Sequence, residues 1–302
     1  MNMGSFGIAM SNQSIAVASA KSFGDFVIAH SILHRVEQRA KSRVRLISCS
    51  HVRGLNAVLP SDVCVTLVNS GGERVPALFD VKKRGALAAV RSALSLRREL
   101  HGIERDRKEV LAFDILGVRE RFIAGDWPAI SPRNRGVNIY ETYSQFLKEH
   151  EIRTTAAPIA MPTGSVRSVG IFPESRLAEK RLTDRTLSVI IDRVARAGLD
   201  AKLFILDGDL SPRREFPCLV NISRNFESLA NAINSVDSVI SADSLPAHLA
   251  EYFARPVFVA SPSPNEYWLP YGCFTAKHWG IFATPPEFTA SLDRYLSALQ
   301  AN

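Results

Sequence analysis

The chain has 302 residues, 37 of them Lys or Arg and 30 Asp or Glu, for a formal net charge of +7. A hydrophobic fraction of 46% and a charged fraction of 22% are those of a globular protein, and no run nears the roughly 18 apolar residues of a membrane-spanning helix. Four scattered cysteines (Cys49, Cys64, Cys218 and Cys273), without a CxxC pair or a histidine at ligand spacing, argue against structural zinc and disulfides and fit a reducing cytoplasm.

This length suggests two domains. Residues 1–13 read as a loose tail. They precede an Ala-Ser-Ala but lack a basic start and a continuous apolar core, so no signal peptide is expected. Ser14 to Ala20 reads as the first strand, and a helix is expected from Asp25 to Ala40 through Phe26, Ala29, Leu33, Val36 and Ala40. Val44–Ser48 is a strand, Val52–Leu59 a short helix, Val63–Val68 a strand and 69–72 a loop. Pro76–Val81 reads as a strand. Ala86–Leu100 reads as a helix with Leu87, Val90, Leu94 and Leu96 towards its buried side, and Val110–Phe113 as a strand. Ile123–Asn138 has no clear period, whereas Ile139–His150 is helical. Thr154–Ser165, with two prolines and a glycine, reads as the linker between domains 1–155 and 156–302.

The second half alternates more cleanly. Val169–Phe172 is a strand, and Thr183-Asp184 opens a helix with Leu187, Ile190, Ile191 and Val194 on one face and Gly198 just past its end. Lys202–Leu206 and Leu219–Ile222 are strands, followed by a helix at Phe226–Asn234. Ser238–Ala242, Ala247–Ala254 and Pro256–Ala260 form a βαβ unit, with Pro246 in the first turn of its helix. A last helix carries Phe288, Leu292, Tyr295, Leu296 and Leu299. Strands and helices alternating in two blocks predict an α/β protein of two doubly wound, Rossmann-like parallel sheets facing across a cleft.

No P-loop, GxGxxG, GxSxG, HExxH or EF-hand pattern is present, so anion recognition falls to helix N-termini and isolated cations. Asp25 opens the first helix after the first strand. It is either a general base or a carboxylate serving the helix dipole. Ser175, Arg176 and Lys180 follow the first strand of the second half and either contact a diphosphate or form a solvated loop. Asp209 is either a partner for ribose hydroxyls or a turn residue. Asp243 and Ser244 either cap the helix or face a ligand, and His248 is either a core residue or part of that site. Nine Lys/Arg between Lys82 and Lys108 form either a solvated helix face or a surface for an acidic acceptor or a membrane. They lack interleaved aromatics, so nucleic acid is not expected.

Three stretches resemble glycosyltransferase family 9, the heptosyltransferase-like enzymes of bacterial surface polysaccharides. They are GDFVIAHSIL, PESRLAEKRL and ESLANAINSVDSVISADSLPAHLAEYFARPVFVASPSP, and the similarity runs from about residue 14 to 280. It implies a GT-B fold and inverting sugar transfer from a nucleotide-diphosphate sugar, with no metal or other cofactor. Asp25 matches the family's acceptor base. Ser175 and Lys180 match donor-phosphate contacts, with Arg176 beside them. Asp243, Ser244, Leu245 and His248 fall in the donor block, and Asp209 matches the ribose acid loosely. The implied acceptor is an anionic bacterial glycan or glycolipid at the inner face of the membrane, with the protein cytoplasmic or peripheral there. Three positions depart from the family pattern. Ser244-Leu245 stands for Thr-Gly, Pro246 has no N–H, and Glu174 replaces a glycine. They leave a second reading open, a catalytically silent nucleotide-sugar-binding or scaffold protein.

Overall fold

The computed structural model describes residues 14–69, 75–107, 110–115, 117–131, 138–155, 165–208 and 216–301. The chain divides into two compact units. The first comprises 1–53, 60–135 and 141–155, the second 54–59, 136–140 and 156–302.

In chain order the first half runs β1 (Ile15–Ala18), α1 (Phe23–His34), β2 (Val44–Cys49), α2 (Arg53–Asn56), β3 (Val65–Val68), α3 (Val81–Arg84), α4 (Ala86–Arg107), β4 (Val110–Ile115), α5 (Val118–Ala124), β5 (Ala129–Ser131) and α6 (Ile139–Glu149). The second half runs β6 (Ser168–Phe172), α7 (Asp184–Arg196), β7 (Asp200–Leu206), β8 (Leu219–Ile222), α8 (Phe226–Asn234), β9 (Ser238–Ala242), α9 (Leu245–Tyr252), β10 (Val257–Ser261), α10 (Tyr271–Ala276), β11 (Trp279–Ile281) and α11 (Pro285–Gln300).

The first sheet has the order β3-β2-β1-β4-β5 and the second β11-β10-β9-β6-β7-β8. Every strand pair in both is parallel. Parallel sheets are covered on both faces and read as continuous apolar runs. Accordingly β1, β2, β9 and β10 are buried at every residue.

In the second unit one face of β6, β7, β9 and β10 packs with Leu187, Ile190 and Val194 of α7 and with Phe288, Leu292, Tyr295, Leu296 and Leu299 of α11. These are the faces expected for the two helices, although Ile191 is only half-buried. Thr183 caps α7 by accepting from the Thr186 N–H at 3.2 Å, and Gly198 follows its end at φ 69°, a left-handed turn that glycine takes without strain. Gly170 in β6 is needed for a different reason. A Cβ there would lie 2.9 Å from Val236 Cγ2 and 3.2 Å from Phe204 Cε2.

Four readings of the first half are corrected. Helix α1 ends at His34 instead of running to Ala40. Beyond its cap residue Arg35, Val36 forms an antiparallel bridge with Thr154, the Thr155 N–H donates to the Arg35 carbonyl at 2.8 Å, and the Glu37 N–H donates to that of Arg153 at 3.1 Å. Main-chain pairing thus replaces the last helical turns. Pro76–Val81 is not a strand, for Ala77–Phe79 forms a 3-10 turn that leads into α3. Ile123–Asn138 is not wholly irregular, since it holds the end of α5 and the edge strand β5. In α4 the buried side is lined by Ala89, Ala93, Leu96 and Leu100, while Leu87, Val90 and Leu94 are exposed. Most of the loop expected at 69–72, and most of the linker at 154–165, lie outside the described residues. Among the described residues no helix is long and apolar enough to cross a membrane.

Candidate anion site at the switch point of the second sheet

Read from β8 to β11, the second sheet has the sequential order 3-2-1-4-5-6, and its direction of winding reverses between β6 and β9. In such a sheet the loops leaving these two strands diverge at their carboxyl ends and open a crevice there. The two loops are 173–183, after β6, and Asp243-Ser244, after β9. Sequence alone had marked both.

The structure joins them through a charge pair. Lys180 closes a 3-10 turn at Ala178–Lys180, and its Nζ donates to Asp243 Oδ2 at 2.7 Å. Asp243 is 7% exposed. A carboxylate this buried requires charge and hydrogen-bond partners, and Asn265 Nδ2 supplies another at 2.5 Å. Asp243 therefore does not cap α9. Ser244 occupies the N-cap position without a side-chain cap bond. Its hydroxyl instead donates to the Glu174 carbonyl at 2.9 Å, tying the two loops together. Helix α9 thus begins with no side-chain oxygen on its N-terminal amides. Pro246, in the first turn as expected, contributes none.

His248, one turn into α9, is buried, and its Nδ1 lies 3.2 Å from the Tyr140 hydroxyl. Burial, opposed by the Asp243 carboxylate and reinforced by the Lys180 ammonium, pushes its pKa down. The ring is neutral at pH 7 and adds no positive charge to the site. Tyr140 is itself set by Asn138, whose Oδ1 accepts from the Tyr140 N–H at 3.0 Å while its Nδ2 donates to the Leu269 carbonyl at 2.9 Å.

Glu174, one of the three departures from the family pattern, has its carboxylate 3.5 Å from Arg181 Nε. The Arg181 Nε also donates to the Ser175 carbonyl at 2.9 Å. Ser175 Oγ accepts from the Leu177 N–H at 3.4 Å, a turn contact. Arg176 is exposed, and Leu245 is half-buried at the start of α9. Asp209 lies outside the described residues. The sequence reading passed over Asn265, Tyr140 and Arg181. Asn265 was within reach of it, because it follows β10 on the same carboxyl edge. Tyr140 was not, since it enters from a distant part of the chain.

In the first sheet the winding reverses between β1 and β4, and Asp25 stands after β1 in the first turn of α1. It is half-buried. Ser22 Oγ donates to Asp25 Oδ2 at 2.7 Å and accepts from the Asp25 N–H at 3.2 Å, a reciprocal pair that fixes the helix start. Helix duty and a position at the sheet edge thus coexist in one carboxylate. Near it along the chain, Phe23 packs against His51, with ring centroids 5.4 Å apart. His51 follows β2, is 5% exposed, and has no hydrogen-bond partner on either ring nitrogen.

Burial lowers the His51 pKa from its ordinary 6.5 to about 4. The unfolded chain therefore binds the extra proton between these values. The stabilisation from a neutral His51 is complete above pH 6.5 and is lost as pH falls towards 4. Urea midpoints measured across that window should fall with pH. His51→Phe should flatten the fall by up to about 3 kcal/mol at the acid end, and an unaltered slope would show that His51 does not titrate there.

No family model matches the chain, and no curated protein does. Solved structures do match. A glycosyl transferase family 9 protein from Veillonella parvula DSM 2008 superposes with a TM-score of 0.63 at 14% identity, over 97% of this chain and 98% of that one. The E. coli heptosyltransferase WaaC with ADP-2-deoxy-2-fluoro heptose gives 0.57 at 15%, over 96% and 98%. WaaC with ADP gives 0.56 at 12%, over 85% and 90%. At such identities the likeness is one of fold. The fold is α/β and of the GT-B class, as the resemblance implied.

Proposed function

We propose that this chain is an inverting, metal-independent glycosyltransferase whose second unit binds a nucleotide-diphosphate sugar and whose first unit takes the acceptor. The observation that carries this reading is the Lys180–Asp243 pair, held at 2.7 Å at the reversal point of the second sheet beside a helix start with no side-chain cap. The ammonium and the Leu245 N–H at the start of α9 suit a diphosphate, and the buried carboxylate suits sugar hydroxyls.

In the reaction, the acceptor hydroxyl oxygen attacks the anomeric carbon as the bond from that carbon to the diphosphate oxygen breaks. The hydroxyl proton passes to the Asp25 carboxylate. The nucleoside diphosphate departs as an anion, with Lys180 countering its added charge. Arg176 and Ser175 extend the anion surface of the same loop. WaaC, whose structures hold ADP and ADP-2-deoxy-2-fluoro heptose, makes an adenosine diphosphate sugar the first donor to try. The proposed acceptor is an anionic bacterial glycan or glycolipid, met by the basic first unit.

The second reading, a binding protein without turnover, is favoured by Leu245 and Pro246. The former adds a side chain where backbone would approach phosphate, and the latter removes an amide. Thermal unfolding against a panel of nucleotide sugars and bare nucleotides separates the readings. A donor at 100 times its Kd stabilises the native state by about 2.7 kcal/mol and should raise Tm. A donor that raises Tm but yields no product with any acceptor supports the second reading. No shift with any nucleotide would overturn both.

A further inference from the structure

Helix α4 turns an apolar stripe towards solvent. Leu87, Val90 and Leu94 recur at three- and four-residue spacing and are 67%, 51% and 53% exposed, although a helix in a globular protein normally buries such a face. On α5, Val118 and Phe122 are 78% and 51% exposed. The two helices meet here. Arg97, one turn beyond Leu94, donates from Nη1 to the Phe122 carbonyl at 3.5 Å. The five side chains are all of the large apolar residues above 50% exposure among those described, and such clustering marks a contact surface.

Charge around the stripe is of one sign. Residues 82–98 include Lys82, Lys83, Arg84, Arg91, Arg97 and Arg98 and no Asp or Glu, and all six are exposed. Arg91 and Arg98 lie four residues beyond Leu87 and Leu94, one helical turn away. Glu99 bonds the Asn69 N–H at 2.9 Å. On α5, Arg119 and Arg121 are exposed, whereas Glu120 is buried with an oxygen 4.0 Å from Lys21 Nζ.

We propose that this face of the first unit docks on an anionic lipid bilayer, with Leu87, Val90, Leu94, Val118 and Phe122 entering the boundary between headgroups and acyl chains. The surrounding Lys and Arg pair with lipid phosphates, their aliphatic stems lying along the apolar surface and their charges at headgroup level. A second copy of the chain is a poor occupant, because it would set the same cations against one another. The assignment is independent of the sugar-transfer reading, since it needs neither a donor nor an acceptor.

Flotation of the full chain with vesicles tests it, without nucleotide sugar or glycan present. Binding is expected to phosphatidylcholine vesicles containing phosphatidylglycerol and not to phosphatidylcholine alone, and it should weaken with salt. The triple variant L87S/V90S/L94S should lose roughly 10-fold or more in partitioning, and R91S/R98S roughly 10-fold. These side chains are exposed, so Tm should be unchanged, which separates lost docking from misfolding. The proposal is overturned if the wild type floats with neither vesicle, or if the triple variant binds as the wild type does. It also fails if sedimentation shows a dimer that the triple variant dissolves while neither protein binds vesicles.

Discussion

Asp25→Asn is expected to slow sugar transfer by ~10²–10⁴-fold while leaving nucleotide-sugar affinity unchanged. Asparagine keeps the size of the side chain and an oxygen able to accept from Ser22 Oγ, the bond measured at 2.7 Å, so α1 still starts where it does. What it removes is the site for the acceptor proton, with about 0.3–1 kcal/mol of interaction with the helix dipole. Single-turnover rates, donor titrations and a urea curve on the one variant separate these effects. Turnover equal to wild type would leave Asp25 as a helix-start residue and nothing more.

Lys180→Met is expected to weaken donor binding by about 1.5–3 kcal/mol, or roughly 10- to 150-fold. It also strands the Asp243 carboxylate with Asn265 as its remaining partner from the bonds described above, which destabilises the fold by about 1–3 kcal/mol. One variant thus mixes a lost ligand contact with an injured site, and adding Asp243→Asn resolves the mixture. The double variant no longer holds an uncompensated charge, so its urea midpoint should recover. Donor affinity should stay low, because the phosphate still lacks its cation. If calorimetry shows affinity returning along with stability, Lys180 acts by holding Asp243 and not by touching the donor.

The second half of the chain was legible because its signals agree with one another. The run 238–261 pairs two apolar strands with a proline-opened helix, and the structure reproduces it as β9, α9 and β10. Strand β11 and helix α10 went unread. Each is short, and the Glu251 carboxylate that accepts from the Tyr271 and Gly272 N–H groups at the start of α10 comes from a separate element.

In the first half, local pattern and tertiary outcome part company. Leu87, Val90 and Leu94 carry the apolar period, yet Ala89 and Ala93 take the buried side, where small side chains allow close packing. Pro76 begins an apolar run suited to a strand, but Ala77–Phe79 coils into a 3-10 turn. At the site, the positions of the chemical groups were legible and their bonds were not. Lys180 and Asp243 were each marked by standing after a strand, while the choice of Lys180 as Asp243's partner follows from the alignment of β6 beside β9, which a single sequence does not display.

That alignment has a bearing on biosynthesis. Lys180 and Asp243 are 63 residues apart in the chain, and β9 follows β7 and β8 in sequence although it pairs with β6 on the side away from them. A nascent polypeptide released from the ribosome at Asn234 would carry the lysine but neither the strand that lines it up nor the aspartate that holds it. Closing so long a loop costs entropy before any contact repays it. The Lys180–Asp243 pair can therefore form only once β9 has been made, and a translation product truncated before it would lack the pair altogether.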